Sequence, residues 1–164
     1  MKIALVCPAS LPATQFGGIM FLCVDIAKEL SDQGHEIEIF TTDLDFANNA
    51  KTFNKKLPKI EQFDNYKINR THTWFSYSLF FINPKIYSEI KKFCPDIIHS
   101  IGVRSFQSFM AAMVSKKENI PLIISDQGGL TTHPDLDNVN IIKKFLFKLQ
   151  EPMIKYIVNQ ATKI

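Results

Sequence analysis

The sequence of 164 residues contains only three cysteines, and their positions do not suggest a metal site. Cys7, Cys23 and Cys94 form neither a CxxC pair nor a cluster with histidine, which argues against a zinc site and a disulfide framework. Reduced thiols are typical of the cytoplasm and predict that location. No run of about 18 apolar residues occurs, so the sequence predicts no transmembrane helix. The first apolar stretch ends at Pro8 and is too short for a signal peptide.

Two glycine motifs that bind phosphate groups are also missing. The sequence has no G-x-G-x-x-G fingerprint, which disfavours a nicotinamide cofactor, and no P-loop of the form G-x-x-x-x-G-K-[ST]. Asp43 stands near the end of a predicted strand, where a ribose-binding acid would stand, but one acid is a weak signal. The sequence therefore predicts no cofactor and no metal.

Charge is close to balance, with 19 basic and 16 acidic residues and a net charge of +3. From Val139 onward five lysines accompany one glutamate, a net +4, and the remaining 14 basic and 15 acidic residues leave the body at −1. This distribution argues against a nucleic-acid-binding protein, which spreads Lys and Arg over one face. Two hypotheses stay open for residues 139–150: a packed helix with a solvated basic face, and a peripheral contact with an anionic membrane.

Short apolar runs alternate with segments of helical periodicity along most of the chain. An apolar run, a glycine pair, a helical stripe and a second apolar run predict a right-handed βαβ unit and a parallel sheet. We predict strands at residues 2–7, 36–42, 66–75, 97–101, 122–125 and 154–159, and helices at residues 19–30, 84–93, 105–117 and 138–150. Residues 43–64 are polar and irregular, with room for one short strand or helix. The chain is predicted to be one Rossmann-like α/β domain, doubly wound, with a mainly parallel sheet and helices on both faces.

Ligands of such sheets bind beyond the carboxyl ends of the strands. The candidate site therefore comprises residues 10–18, Asp43, residues 99–104 and residues 126–133. Gly17 and Gly18 stand at the start of the first predicted helix, where glycine permits a close approach of the backbone to a ligand. The N–H groups and the dipole of a helix start favour phosphate or another anion. An anion site is favoured here over a flexible turn, because the glycine pair falls at a strand-to-helix exit.

The other candidates leave alternatives open. His99 lies in an apolar strand near its exit, and it is either a histidine of the core or a residue of the cleft. Arg104 either reaches an anionic ligand or is solvated at the start of a helix. Gln127 and Gly128 belong to an exit loop with two adjacent glycines, which again implies a close approach of backbone to ligand.

Three blocks of sequence occur in an order typical of one enzyme family. The first runs from Met1 through Gly17-Gly18 to Ala27-Lys28-Glu29-Leu30 and Gly34-His35-Glu36-Ile37. The second is Pro95-Asp96-Ile97-Ile98-His99, and the third is Ile120-Pro121-Leu122-Ile123-Ile124-Ser125-Asp126-Gln127-Gly128. Together they make the chain similar to the N-terminal domain of a GT-B glycosyltransferase of family 4.

The resemblance implies a retaining enzyme that transfers a sugar from a nucleotide-sugar donor to an acceptor. In the family the N-terminal domain mostly holds the acceptor, and its glycine loop, here Gly17 and Gly18, approaches the donor diphosphate. The family often has a histidine near the donor sugar, in the exit loop of the fifth strand. Gln127 stands in that loop and can bind a sugar hydroxyl but cannot act as an acid or a base. His133 is a candidate substitute for that histidine.

The family's C-terminal domain binds the donor through an E-x7-E motif and an Arg/Lys pair, and neither occurs in this sequence. Residues 156–163 resemble the segment just before the two domains join. We therefore expect residues 1–164 to be the acceptor-side domain of a longer protein, inactive without the C-terminal domain. The alternative is a non-enzymatic, acceptor-binding subunit that recruits a separate catalytic chain. A nucleotide-sugar epimerase is a weaker third hypothesis.

Overall fold

Strands and helices alternate along the chain. A computed structural model of the protein describes residues 1–46, 52–127 and 141–163, with the backbone alone for residues 141–147 and 149. The strands are β1 (Lys2–Val6), β2 (Glu36–Thr42), β3 (Leu44–Asp45), β4 (Thr52–Phe53), β5 (Ile60–Phe63), β6 (Tyr66–Thr71), β7 (Phe75–Tyr77), β8 (Phe80–Ile82), β9 (Ile97–Ile101) and β10 (Leu122–Ser125). The helices are α1 (Gly18–Asp32), α2 (Lys85–Phe93), α3 (Phe106–Glu118) and α4 (Ile141–Gln160), and a 3-10 turn precedes α1 at Thr14–Phe16.

Six strands form the central sheet, in the order β10-β9-β1-β2-β6-β5. Neighbouring strands are parallel except for β5 and β6, which are antiparallel. From β1 the chain moves outward to β2 and β6, and it then returns to β9 and β10 on the other side. The predicted doubly wound, mainly parallel α/β sheet is therefore confirmed. The order reverses between β1 and β9, which is where ligands of such sheets bind.

β1 lies in the middle of this sheet and is buried on both of its faces. Ala4, Leu5 and Val6 are fully buried, because helices cover a central parallel strand from both sides. Leu5 belongs to the apolar cluster beneath α1, whereas Ala4 and Val6 belong to the cluster beneath α2, α3 and α4. The first apolar run of the sequence, β1, therefore lies between these two apolar clusters and contributes side chains to both.

The ends of three helices follow the signals in the sequence. Ser105 caps α3, and its Oγ accepts a hydrogen bond of 3.0 Å from the backbone N–H of Ser108. Pro84 directly precedes α2, where its missing N–H costs no hydrogen bond. Gly34 follows α1 with a φ of +87°, a conformation that glycine adopts without strain. The predicted helices at residues 19–30, 84–93 and 105–117 are confirmed, and each observed end lies within two residues of its predicted position.

The predicted strand at residues 154–159 is wrong, because these residues form the second half of α4. Ile154 and Ile157 are both buried in the cluster beneath α2, α3 and α4. Their spacing of three belongs to one face of a helix rather than to alternation along a strand. Pro152 lies inside α4, although a proline in a helix interior removes one hydrogen bond and usually ends the helix.

Two small antiparallel sheets between β2 and α2 were missed by the sequence analysis. β3 pairs with β4, and β7 pairs with β8. The predicted strand at residues 66–75 ends at Thr71, and β7 and β8 form a separate hairpin. The chain turns at Ser78, whose φ is +53°. No glycine or proline marks that turn, so the β-prone sequence on either side reads as continuous.

Two buried carboxylates share one amide on the α2 side of the sheet. The side-chain N–H₂ of Asn69 donates to Glu38 at 2.8 Å and to Glu89 at 3.5 Å. Lys59 and Lys92 lie 3.0 and 3.4 Å from the carboxylate of Glu89. Burial raises the pKa of Glu89, but the hydrogen bonds and positive charge of its partners outweigh burial, so its pKa is lowered.

We expect acid to destabilise the protein in part through Glu89. Because its pKa is lower in the folded than in the unfolded state, its stabilising contribution is complete above the unfolded pKa and is lost as pH falls through the folded one. Urea unfolding at pH 7 and about pH 4 should show that Glu89→Gln is less stable at pH 7 and loses less stability on acidification. The control Glu36→Gln alters an exposed carboxylate and should follow the parent. Equal acid sensitivity of Glu89→Gln and the parent would contradict this account.

Candidate functional site

The carboxyl ends of five strands meet at one edge of the sheet, which we call the carboxyl edge. The segments that follow these strands contain Gly17 after β1, Asp43 after β2, His72 after β6, Arg104 after β9 and Gln127 after β10. Neighbouring strands of a sheet are about 4.8 Å apart. The edge is therefore wide enough for a ligand of several rings.

Gly17 and Gly18 form the start of α1, as the sequence predicts. Gly17 is the N-cap, with a φ of +94°, and its carbonyl accepts hydrogen bonds from the backbone N–H groups of Met20 and Phe21 at 3.1 and 3.4 Å. No described side chain caps the first turn. A Cβ built on either glycine meets no atom within 4 Å. Space therefore lies open above this helix start.

His99 is the third residue of β9, on the face of the sheet that α1 covers. It lies between Leu5 of β1 and Ile123 of β10, and its Nε2 is 2.8 Å from Oγ of Ser125. Burial lowers the pKa of His99, which favours the neutral imidazole. The backbone N–H of Gly102 also donates to the carbonyl of Ser125, at 2.8 Å. The exits of β9 and β10 are thus held together.

Arg104 and Gln127 lie on these two neighbouring exits. Arg104 is half-buried in the turn just before the cap Ser105, and Gln127 is exposed two residues after β10. Gly128 and His133 lie outside the described residues. His99 therefore lies at the base of the segment that contains Gln127. That either residue contacts a ligand stays a prediction.

Sequence reasoning missed the pairing of Asp43 with a histidine. The buried carboxylate of Asp43 accepts a hydrogen bond from Nδ1 of His72 and a second, of 3.0 Å, from the backbone N–H of Thr73. The His72 side chain is 37% exposed, and Nε2 is the ring nitrogen left for a further partner. Asp43 therefore orients an imidazole, which argues against the ribose-binding role considered for it. The available signal was Thr-His-Thr at the end of a predicted strand.

A buried chain of amides and hydroxyls supports the carboxyl edge from below. The side-chain N–H₂ of Gln107 donates to Oδ1 of Asn83 at 2.6 Å and to the carbonyl of Phe81 at 2.9 Å. Asn83 in turn donates to Oγ1 of Thr71 at 2.7 Å, and Thr71 donates to the carbonyl of Thr41 at 3.3 Å. This chain joins α3, the β7–β8 hairpin, β6 and β2. Buried polar groups bonded in this way hold their elements in one arrangement.

The model of one family, "Glycosyltransferase Family 4", matches residues 16–164. The chain belongs to glycosyltransferase family 4. The fold of this family 4 domain is similar to that of a sucrose-phosphate synthase from Thermosynechococcus elongatus, with 14% sequence identity and a TM-score of 0.56. The match covers 98% of this chain and 40% of the synthase, so this chain spans less than half the length of that protein. No curated protein sequence matches the chain at a significant level.

Two further observations concern the described part of this family 4 domain. Across residues 1–46, 52–127 and 141–163, no helix combines the length and the hydropathy needed to cross a membrane. In the same ranges, no three His, Cys, Asp or Glu side chains gather as they would around a metal ion.

Alanine should affect the two glycines of the α1 start differently. At Gly17 the φ of +94° strains any L residue, so Gly17→Ala should cost about 1 kcal/mol or more. At Gly18 the helical backbone accepts a Cβ without contact, so Gly18→Ala should leave stability unchanged or raise it by up to about 1 kcal/mol. Denaturant unfolding of both variants measures the difference.

Gly34→Ala is the matched control, since Gly34 has a φ of +87° at the opposite end of α1 and equally open surroundings. It should lose stability as Gly17→Ala does. Equal stability of the Gly17 and Gly18 variants would show that the strained conformation is not needed to start α1.

Proposed function

We propose that this chain is the acceptor-side, N-terminal domain of a cytoplasmic, retaining glycosyltransferase that uses a nucleotide-sugar donor. The observation that carries the proposal is the open helix start at Gly17 and Gly18, beside the reversal of strand order between β1 and β9. The resemblance to family 4 supports the retaining outcome and the nucleotide-sugar donor. The other half of the active site would come from a C-terminal domain that binds the donor.

The proposed task of the α1 start is to hold the donor diphosphate. When the sugar leaves its nucleotide, negative charge develops on the diphosphate oxygens. The first N–H groups of a helix have no partners within the helix and lie at the positive end of its dipole. Because Gly17 and Gly18 have no Cβ, those oxygens could approach the backbone itself. Donors already in place where charge develops lower the barrier to transfer.

The proposed task of the other carboxyl-edge residues is to bind hydroxyl groups and charge. Nε2 of His72, oriented by Asp43, is placed to accept a hydrogen bond from an acceptor hydroxyl. The neutral imidazole of His99 and the exposed amide of Gln127 suit the hydroxyls of the transferred sugar, and Arg104 suits an anionic group. Gly128 completes the proposed set through its backbone.

The test is a titration of the ¹⁵N-labelled chain with uridine diphosphate and, separately, with inorganic pyrophosphate. Amide resonances of Gly18 and Ile19 should shift with both ligands, because the proposed contact is with the diphosphate. Gly18→Leu should abolish these shifts, since its side chain would fill the space where the backbone meets the ligand. Gln33→Leu, at the C-terminal end of α1, is the control and should keep them. Persistent shifts in Gly18→Leu would exclude the anion site.

A second measurement tests the domain assignment. The chain on its own should transfer no sugar from a panel of nucleotide sugars to candidate acceptors, because half of the cleft is missing. Transfer above background would overturn the proposal. The non-enzymatic subunit predicts the same result for the isolated chain. Activity regained with a separately encoded catalytic chain would favour that alternative.

We also propose that residues 139–150 make a peripheral contact with anionic membranes. Lys148 is exposed, and a basic residue near an anionic surface contributes about 1 kcal/mol. Changing Lys143, Lys144 and Lys148 to Glu should therefore abolish co-sedimentation with anionic vesicles at low salt, where charge attraction is least screened.

The control for this charge reversal changes Lys28, Lys67 and Lys117 to Glu, all three exposed on other elements. It removes the same number of positive charges and should weaken sedimentation only slightly. If both triple variants behave alike, only net charge matters, and the assignment to residues 139–150 is wrong.

A further inference from the structure

Exposed apolar side chains are concentrated in one short segment. Eight large hydrophobic residues are exposed among those described, and four of them fall within six consecutive positions. These are Trp74, Phe75, Tyr77 and Leu79, at 72, 59, 47 and 62% exposure. We call residues 74–80 the aromatic hairpin. Such a cluster is unlike the single exposed apolar residues of ordinary surfaces and marks an interaction site.

The aromatic hairpin is held outward by the buried side of the same two strands. Phe81 is fully buried, with its ring centroid 5.4 Å from that of Phe53 and 6.1 Å from that of Phe16. The carbonyl of Phe81 accepts the hydrogen bond from Gln107, and the N–H of Trp74 donates to the carbonyl of Ile82 at 2.8 Å. The buried ring of Phe81 and these hydrogen bonds therefore fix the strands from which the exposed rings project.

The register of the hairpin places four apolar residues on one outer face. Phe75 pairs with Ile82 and Tyr77 pairs with Phe80, so these four side chains share a face, while Phe81 points to the core. Trp74 and Leu79 flank β7 outside these pairs and are exposed as well. An aromatic side chain buries about 150–250 Å² when it is fully covered, so the exposed parts of Trp74, Phe75, Tyr77 and Leu79 offer roughly half of the ~800 Å² per partner that a stable protein interface buries.

The charges near the aromatic hairpin are those that an anionic surface attracts. The sequence has no charged residue from 73 to 84 and no acidic residue from 65 to 88. Exposed lysines lie near the hairpin. Lys85 comes three residues after β8. Lys55 and Lys56 come just after Phe53, whose ring packs on that of Phe81. Of the two nearby aspartates, Asp43 is buried against His72, and Asp45 is half-buried and accepts a hydrogen bond of 2.9 Å from the side chain of Asn54.

We propose that the aromatic hairpin is a membrane-contact surface, which inserts Trp74, Phe75 and Leu79 into the boundary between headgroups and acyl chains of an anionic bilayer. Trp and Tyr combine an apolar ring with one polar group and are enriched at this boundary. The flanking lysines meet the anionic headgroups. This surface adds an apolar anchor to the peripheral membrane contact proposed for residues 139–150, and it rests on different residues.

Trp74 is the only tryptophan of the chain, so intrinsic fluorescence reports on the aromatic hairpin alone. Vesicles of equal parts phosphatidylcholine and phosphatidylglycerol should shift its emission to shorter wavelength and sediment the protein. Phosphatidylcholine vesicles should do so less, because they lack negative charge. Phe75→Ser with Leu79→Ser should weaken partitioning at least about tenfold, since each side chain loses its apolar transfer into lipid.

Phe21→Ser is the matched control, because Phe21 is 47% exposed on α1, and this variant should bind vesicles as the parent does. Circular dichroism and thermal melts confirm that each variant is folded. The proposal is overturned if vesicles do not shift the Trp74 emission, or if Phe21→Ser weakens binding as much as the hairpin variant does. It is also overturned if the shift arises without vesicles as protein concentration rises, which would identify a second copy of the chain as the occupant.

Discussion

Burial of β1 on both faces is the constraint on which the rest of the architecture depends. Leu5 faces α1 and Val6 faces α2, α3 and α4, so neither layer of helices could leave without exposing apolar side chains of the central strand. Parallel strands on either side of β1 require crossovers, and these crossovers are the helices that bury it. Because four neighbours of the sheet run in the same direction as β1, their exits converge on one edge.

Polar side chains hold that edge together, at the point where the chain leaves the hydrogen-bonded strands of the sheet. Asp43 joins the exits of β2 and β6 through His72 and Thr73, and Oγ1 of Thr42 donates to the carbonyl of Pro8 at 2.7 Å. Hydrogen bonds of this kind are buried, where leaving a group unpaired costs more than in water. These contacts hold the exits of β1, β2 and β6 in one arrangement, which suits a site that must hold a ligand in one pose.

The carboxyl edge combines three chemical characters. The start of α1 offers unobstructed N–H groups, His72 offers an oriented ring nitrogen, and the aromatic hairpin offers apolar rings. Gln107 joins the last two of these regions, because its amide binds the backbone of Phe81 and the side chain of Asn83, and Asn83 binds Thr71 next to His72. The chain belongs to glycosyltransferase family 4, and the proposed sites for the donor diphosphate and the acceptor both lie at this edge.

The sequence by itself determined five of the six strands of the central sheet, the first three helices and the family. β9 and β10 were predicted with the bounds observed, because each is a continuous apolar run whose burial follows from local composition. Ser105, Pro84 and Gly34 are local signals of helix ends. They predicted these ends because each acts on the backbone within a few residues of its own position. Gly17 and Gly18 were placed correctly at a helix start.

Only the tertiary structure decided the features that join distant segments. Asp43 and His72 are 29 positions apart, and the Thr-His-Thr sequence does not by itself identify Asp43 as the partner of its histidine. Residues 154–159 became helix because Ile154 and Ile157 pack on the sheet, a gain in burial that outweighed the proline signal at Pro152. The outward display of the aromatic hairpin depends on Phe81 filling a pocket among side chains from other elements. Local pattern sets most of the strands and helices, whereas packing decides the ambiguous segments, which side chains meet and which stay exposed.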